Sequence, residues 1–133
     1  MSEENVEVVR RAFETFSSDG VEALIPFCSP DLVVYPFPEW MEDPVYHGYE
    51  GWRELLNGWT QGFEDFAPEI EQLRDAGDNR VIWLGYNTGR IRGTNVPIKQ
   101  PVGGVHRLGD GLLLEIHYFM TWSETLEAAG LSE

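Results

Sequence analysis

The sequence predicts an α+β fold in which a strongly bent, mixed or antiparallel sheet wraps around helices gathered in the first half of the chain. Three observations carry that expectation. Apolar residues recur at helical spacing in the segments around Val6–Phe16 and Trp52–Phe63. From about Ala67 onward, four β-rich runs follow one another with only compact turn sequences between them. One of those turns is Gly109-Asp110-Gly111. Asp-Gly between apolar runs signals a tight hairpin, because both residues tolerate the positive φ of a primed turn.

Ser2 is a candidate N-cap for the first helix, and Glu3 and Glu4 complement the positive end of its dipole. Val6, Val9, Phe13 and Phe16 form its apolar stripe, and Ser17-Ser18-Asp19-Gly20 ends it. A short second helix is expected from about Val21 to Phe27, with its last turn shortened or kinked by Pro26. Asp31 to Phe37 is β-branched and aromatic and reads as a strand, with Pro36 marking an edge or an end. Pro38 to Gly48 is a loop by its prolines and glycine, and Trp40 and Tyr46 within it read as a lid over something apolar.

The third helix is expected from Tyr49 to Gly62. Trp52, Leu55, Leu56, Trp59 and Phe63 fall on one face, and Glu64-Asp65 closes it. Gly51 and Gly58 each weaken it by roughly 1 kcal/mol relative to Ala, so packing must hold it. Strands follow at about Ala67–Ala76, Arg80–Arg92, Val96–Leu108 and Leu112–Met120, with Gly77-Asp78-Asn79 and Gly93-Thr94-Asn95 as further turns. Thr121 or Ser123 then caps a short last helix carrying Leu126 and Ala129, and Gly130 supplies a left-handed stop.

Strand periodicity sorts the side chains of the final hairpin. Val102, Gly104 and His106 share one face. Leu112, Leu114, Ile116, Tyr118 and Met120 share a wholly apolar face that must be buried. Leu113, Glu115, His117 and Phe119 lie opposite, on a mixed face suited to solvent or a neighbouring subunit. Trp83 and Tyr86 fall on opposite faces of their strand, so only one of them lines the interior.

At 133 residues the chain reads as one domain, 1–133, large enough to bury a core. Five Trp are more ring area than such a core ordinarily needs. A net charge of −14 argues against nucleic acid, where Lys and Arg must neutralise phosphates, and against anionic membrane surfaces. No run approaches a membrane span, and the acidic start of the chain does not read as a secretory leader, so a cytoplasmic location is expected. The single cysteine, Cys28, excludes an internal disulfide and a multi-cysteine zinc site, and it reads as inert.

Several segments together carry a family resemblance. They are Glu4-Asn-Val-Glu-Val-Val-Arg-Arg-Ala-Phe, Pro30-Asp31, Tyr46-His-Gly-Tyr-Glu-Gly-Trp, Asp75-Ala-Gly-Asp, the Gly-Asp-Gly turn and Leu126-Glu-Ala-Ala-Gly-Leu. The chain resembles, over essentially its whole length, the SnoaL-like branch of the nuclear transport factor 2-like superfamily. The resemblance implies a cystatin-like cone: a bent sheet around three N-terminal-half helices, a short C-terminal helix, a pocket at the wide end and a homodimer through the outer face of the sheet. It does not fix a reaction, since the superfamily holds cyclases, isomerases, dehydratases, epoxide hydrolases and plain binders. The acid and tyrosine positions of its steroid isomerases fall on Ala12, Tyr35 and Gly104, so that residue set is absent. The Arg-x-Asp of its epoxide hydrolases is replaced by Arg90-Ile-Arg92. The aspartate of its cyclases falls among Ile116, His117, Tyr118 and Met120.

The resemblance turns the face of Val102, Gly104 and His106 toward the pocket, which makes His106 the candidate catalytic base, with Tyr35 or Tyr118 donating to a developing enolate oxygen; the alternative is a core histidine bonded to a tyrosine or a backbone carbonyl. Glycine at 104 would leave ligand space beside the ring. The expected pocket lining is Tyr35, Trp40, Tyr46, Trp59, Tyr86, Val102, Gly104, Ile116, Tyr118 and Met120. His117 is assigned to the sheet exterior and His47 to the surface, and three dispersed histidines give no metal site. No cofactor is expected. The acidic residues read as a solvated surface. The partner is a small hydrophobic molecule. Three functions fit: a cofactor-independent cyclase, isomerase or dehydratase using acid–base chemistry, a non-catalytic ligand-binding or dimeric interaction module, or an association domain using the sheet's outer face.

Overall fold

The computed structural model describes residues 2–37 and 45–131. The Ser2 side chain, read as a cap, and Trp40, read as part of a lid, lie outside the described residues. The elements are α1 (Ser2–Asp19), a 3-10 helix (Val21–Phe27), β1 (Cys28–Tyr35), β2 (Tyr46–His47), α2 (Gly48–Gln61), β3 (Phe63–Gly77), β4 (Arg80–Ile91), β5 (Val96–Gly109), β6 (Leu112–Phe119) and α3 (Trp122–Ala128). The six strands form one open sheet in the order β2-β1-β6-β5-β4-β3. Only the β1–β6 pairing is parallel among the described strands, so the sheet is mixed, and the fold is the α+β cone expected from the sequence.

The local chemistry explains most of these boundaries. Pro26 has no N–H to give an α-helical turn, and the Val21–Phe27 segment winds as a tighter 3-10 helix instead. At the hairpins, Asp78 and Asn79 hold φ of 54° and 60°, and Asp110 and Gly111 hold 52° and 77°, as primed two-residue turns require. Thr121 is the cap of α3, accepting from the Glu124 N–H at 3.1 Å, and Gly130 has φ 76° beyond the helix end.

Several boundaries differ from the sequence reading, among them Tyr46–His47, which forms the short strand β2 within the segment read as a loop. β1 starts at Cys28 and stops at Tyr35, before Pro36. Phe63 is the first residue of β3 and pairs with Ile91, although it continues the apolar period of α2, which Gly62 has already closed. Glu64-Asp65 therefore belong to a bulge in β3, where Asp65 takes φ 56° and pairs with Arg90.

A second bulge changes the face assignment in β6. Arg107 pairs with Glu115 but Leu108 pairs with Leu113, so Leu114 is an extra residue in the ladder. Alternation restarts there, and Leu113 turns inward with Ile116 and Tyr118 while Leu114 packs against Gly109.

Two apolar layers flank the sheet. The inner one joins α1 and α2 to residues such as Leu32, Val34, Val81, Trp83 and Ile116. The outer one seats Leu126 of α3 and Ala129, its C-cap, on Ile82, Leu84 and Val105. Each fully buried side chain of this kind contributes about 1.5–3 kcal/mol relative to exposure.

Adjacent glycines in β5 let both layers close. A Cβ on Gly103 would stand 2.0 Å from Thr125 Oγ1 of α3, and one on Gly104 would stand 3.0 Å from His106 Cε1 and 3.4 Å from the Tyr118 ring. Thr125 is fully buried and its hydroxyl donates to the Thr121 carbonyl at 2.9 Å, so it has little room to yield. Gly103→Ala is therefore expected to destabilise the protein by roughly 1–3 kcal/mol, the usual cost of overpacking. Urea denaturation measures it, and an unchanged midpoint would show that α3 does not dock this closely.

Candidate functional site

A narrow cavity of about 50 Å³ lies between the inner face of the sheet and the helices. The sheet supplies Trp83, His106, Leu113, Ile116 and Tyr118 to its wall. The helical stripes read from the sequence supply Val9, Phe13 and Phe16 from α1, and Trp52, Leu56 and Trp59 from α2. A wider vestibule of about 370 Å³ adjoins it, with Phe37, Phe63, Ile98 and Met120 among its walls. Trp59, Phe66 and Asn87 line both spaces and so form the neck between them. The inner space exceeds the ~10–15 Å³ that holds one water, and the vestibule falls in the range of about 300–1,000 Å³ typical of small-molecule sites.

The rings fix one another in tilted and edge-to-face pairs. Phe13 and Trp83 have centroids 4.6 Å apart, Trp59 meets Tyr118 at 5.1 Å and 79°, and Trp83 meets Tyr118 at 6.4 Å and 89°. Trp83 is further held by its indole N–H, which donates to the Glu69 carbonyl at 3.1 Å. Gly85 makes this possible, since a Cβ there would lie 1.9 Å from the same carbonyl oxygen.

His106 is the one imidazole in this wall. It is 3% exposed, and the rings of Phe13 and Tyr118 cross it at 6.0 Å and 6.2 Å. Its Nδ1 has no hydrogen-bond partner among the described residues. Burial disfavours the charged ring and pushes its pKa down to about 4, against a backbone hydrogen bond at Val81 that pulls upward. Burial, with a smaller contribution from Cys28, holds the Tyr118 phenol far above its ordinary pKa, so it stays protonated. Cys28 itself is pushed up to about 12 by burial, and its thiol donates to the Leu24 carbonyl at 3.4 Å. The thiol is therefore not a nucleophile at neutral pH.

Of the residues expected around the pocket, Trp59, Ile116 and Tyr118 line the inner cavity, and Met120 lines the vestibule. Val102 and Gly104 share their face but lie beneath it. Val102 is 1% exposed in the core, and the space over Gly104 is filled by the His106 and Tyr118 rings, leaving none for a ligand.

Tyr35, Tyr86 and Tyr46 sit elsewhere. Leu32 and Val34 take the inner face of β1, which sends Tyr35 to the outer face, stacked on His117 at 4.2 Å and 11°. Trp83 takes the inner face of β4, and Tyr86 packs outside on Trp122 at 5.5 Å, with Lys99 Nζ 4.6 Å from its ring. Tyr46 is buried against Gly51, beside a separate surface hollow shared with Arg53. Of Tyr35 and Tyr118, the two tyrosines read as hydrogen-bond donors, only Tyr118 lines the inner cavity. His117 bonds Glu115 at 3.3 Å on the outer face.

The sequence reading missed Asn87 and Phe66. Asn87 was accessible by parity, since it lies two steps of two beyond Trp83 on the same strand. Phe66 was not, because the β3 bulge sets its direction.

The fold has known counterparts. No curated protein matches the chain. Among solved structures it is similar to a putative SnoaL-like polyketide cyclase from Jannaschia sp. CCS1, with a TM-score of 0.77 at 18% identity over 99% of this chain and 95% of that one. It is also similar to a hypothetical protein of ketosteroid isomerase-like fold from Catenulispora acidiphila in complex with trimethylamine, with a TM-score of 0.74 at 16% identity over 95% and 94%. TerC, co-crystallised with polyporic acid, gives a TM-score of 0.75 at 16% identity over 96% and 98%. These identities speak to fold alone. Residues 9–116, however, match the SnoaL-like domain directly. With that match spanning most of its length, the chain belongs to the SnoaL-like domain family.

Proposed function

We propose that this protein binds a flat, mostly apolar small molecule that enters through the vestibule and rests a single hydrogen-bond donor on His106 Nδ1. The observation that carries this reading is an unpartnered ring nitrogen in the wall of an otherwise aromatic and aliphatic cavity. A buried polar atom left unpaired costs about 1–3 kcal/mol, and a ligand hydroxyl or N–H would recover it. The Val81 backbone bond keeps the ring's proton on the other nitrogen, which leaves Nδ1 as a lone-pair acceptor. Polyporic acid, the molecule in the TerC crystals, is one flat oxygenated compound to screen.

The cyclase-type reading is supported by one arrangement: an acceptor, His106, and a protonated donor, Tyr118, stand 6.2 Å apart by ring centroid on one wall. In that case His106 is the base and Tyr118 steadies the enolate oxygen. The homodimer through the outer sheet face remains part of the proposal, with the half-exposed Tyr35–His117 stack as its centre.

Two outcomes are expected. Calorimetric titration should find 2-naphthol binding roughly 10-fold tighter than naphthalene, and His106→Phe should bring that ratio close to one. A wild-type protein indifferent to the hydroxyl would refute the anchor.

The second concerns pH. His106 has its folded pKa near 4 and its unfolded value near 6.5, so the unfolded chain takes up the proton first. The stability this confers is complete above pH 6.5 and is lost as pH falls toward 4, on the order of 3 kcal/mol in all. Urea midpoints at about pH 7 and about pH 5 should therefore fall more steeply in the wild type than in His106→Gln, with the carboxylates common to both. Equal slopes would mean the imidazole is not buried neutral.

A further inference from the structure

We propose that Asn87 is a specificity-determining residue: its side-chain amide holds a second oxygen of the ligand whose first oxygen rests on His106, so the site selects flat molecules oxygenated at both ends. This rests on the reading of His106 as an anchor and extends it to the ligand's chemical class.

Asn87 is placed on the inner face by strand parity with Val81 and Trp83, and its backbone is fixed between Pro68 of β3 and Gln100 of β5. Together with Trp59 and Phe66 it lines both the inner cavity and the vestibule. Its amide carries two donors and an acceptor, yet among the described residues that side chain makes no hydrogen bond to protein. The inner-face positions before it on β4, Val81, Trp83 and Gly85, are all buried, whereas Asn87 is part-exposed at the neck, where its free amide is open to water or to a ligand oxygen.

The spacing follows from the sheet. The His106 ring lies over Gly104, which pairs with Trp83, and Asn87 stands four residues further along β4. At ~3.3 Å per residue the two polar groups are roughly 13 Å apart along the strand. A hydrogen bond of about 2.8 Å at each end leaves on the order of 8 Å between the ligand's oxygens, the length of a two-ring system. The aromatic walls on either side favour a planar one; the inner cavity of about 50 Å³ is smaller than two rings, so entry requires those side chains to change rotamer and open it.

The test is calorimetric titration of naphthalene, 2-naphthol and 2,6-dihydroxynaphthalene into the wild type and Asn87→Leu. The wild type is expected to prefer the diol over 2-naphthol by roughly 5- to 10-fold, and Asn87→Leu to reduce that ratio to near one. Should Asn87→Leu not fold, Asn87→Ala reads the same ratio. A wild type that does not distinguish the two, or a preference that survives in the variant, overturns the role of Asn87. The anchor would still stand if 2-naphthol outcompetes naphthalene. If it does not, the anchor fails and this inference with it.

Discussion

The structure depends on how closely two layers approach β5 at Gly103 and Gly104. β5 lies between β4 and β6, so it is flanked on both edges and packed on both faces. On one face the absent side chain of Gly103 admits Thr125 and brings α3 onto the sheet. On the other, the absent side chain of Gly104 admits the His106 imidazole, which folds back along its own strand beneath Tyr118. A strand normally uses side chains to separate its layers by about 10 Å. Here two consecutive residues give up that spacing, and the histidine gains a seat no larger residue at position 104 would leave it.

That seat sets the electrostatics. The chain carries a net charge of −14, but its carboxylates do not enter the inner wall, where His106 is the only ionisable group other than a tyrosine among the described residues. With no carboxylate to favour the imidazolium, desolvation dominates and the ring stays neutral through the neutral range. The same burial keeps Tyr118 and Cys28 protonated. The cavity is thus uncharged, with polar atoms available to hydrogen-bond and few water molecules able to screen them. Acidic residues are left to the exterior, where pairs such as Arg53 with Glu22 and Arg90 with Asp65 join neighbouring elements.

What could be read from the sequence was whatever periodicity and turn chemistry encode. The Asp110-Gly111 and Asp78-Asn79 turns fixed the hairpins because positive φ restricts the residue types there. The stripes of α1 and α2 pointed to the residues that now line the cavity's helical side. Parity grouped His106 with Val102 and Gly104, and the family resemblance turned that face inward. Parity failed wherever a bulge resets it. Leu114 is an extra residue that exchanges the faces of Leu113 and its neighbours, and Asp65 turns Phe66 into the neck. Nothing in the local composition marks either bulge. Tyr35 and Tyr86 were misplaced for a related reason: an aromatic residue on a strand suits either face of a sheet covered on both, and only the packing of Leu32, Val34 and Trp83 decides.

Under the proposed function, whether His106 only holds a ligand or also takes its proton turns on magnitudes. With a pKa near 4, forming the imidazolium at pH 7 costs about 4 kcal/mol before any chemistry begins. An oxyanion formed in contact with it, at ~4 Å and an effective dielectric constant near 20, returns roughly 4 kcal/mol. The two nearly cancel. Proton transfer in this cavity is therefore feasible only for a substrate whose product is an anion touching the ring, and the protonated Tyr118 is the wall residue able to steady that anion further. A ligand with no acidic proton meets the cost without the return, and for it the site is an anchor. The same imidazole can thus serve a binder or an enzyme, and the acidity of the ligand decides between them.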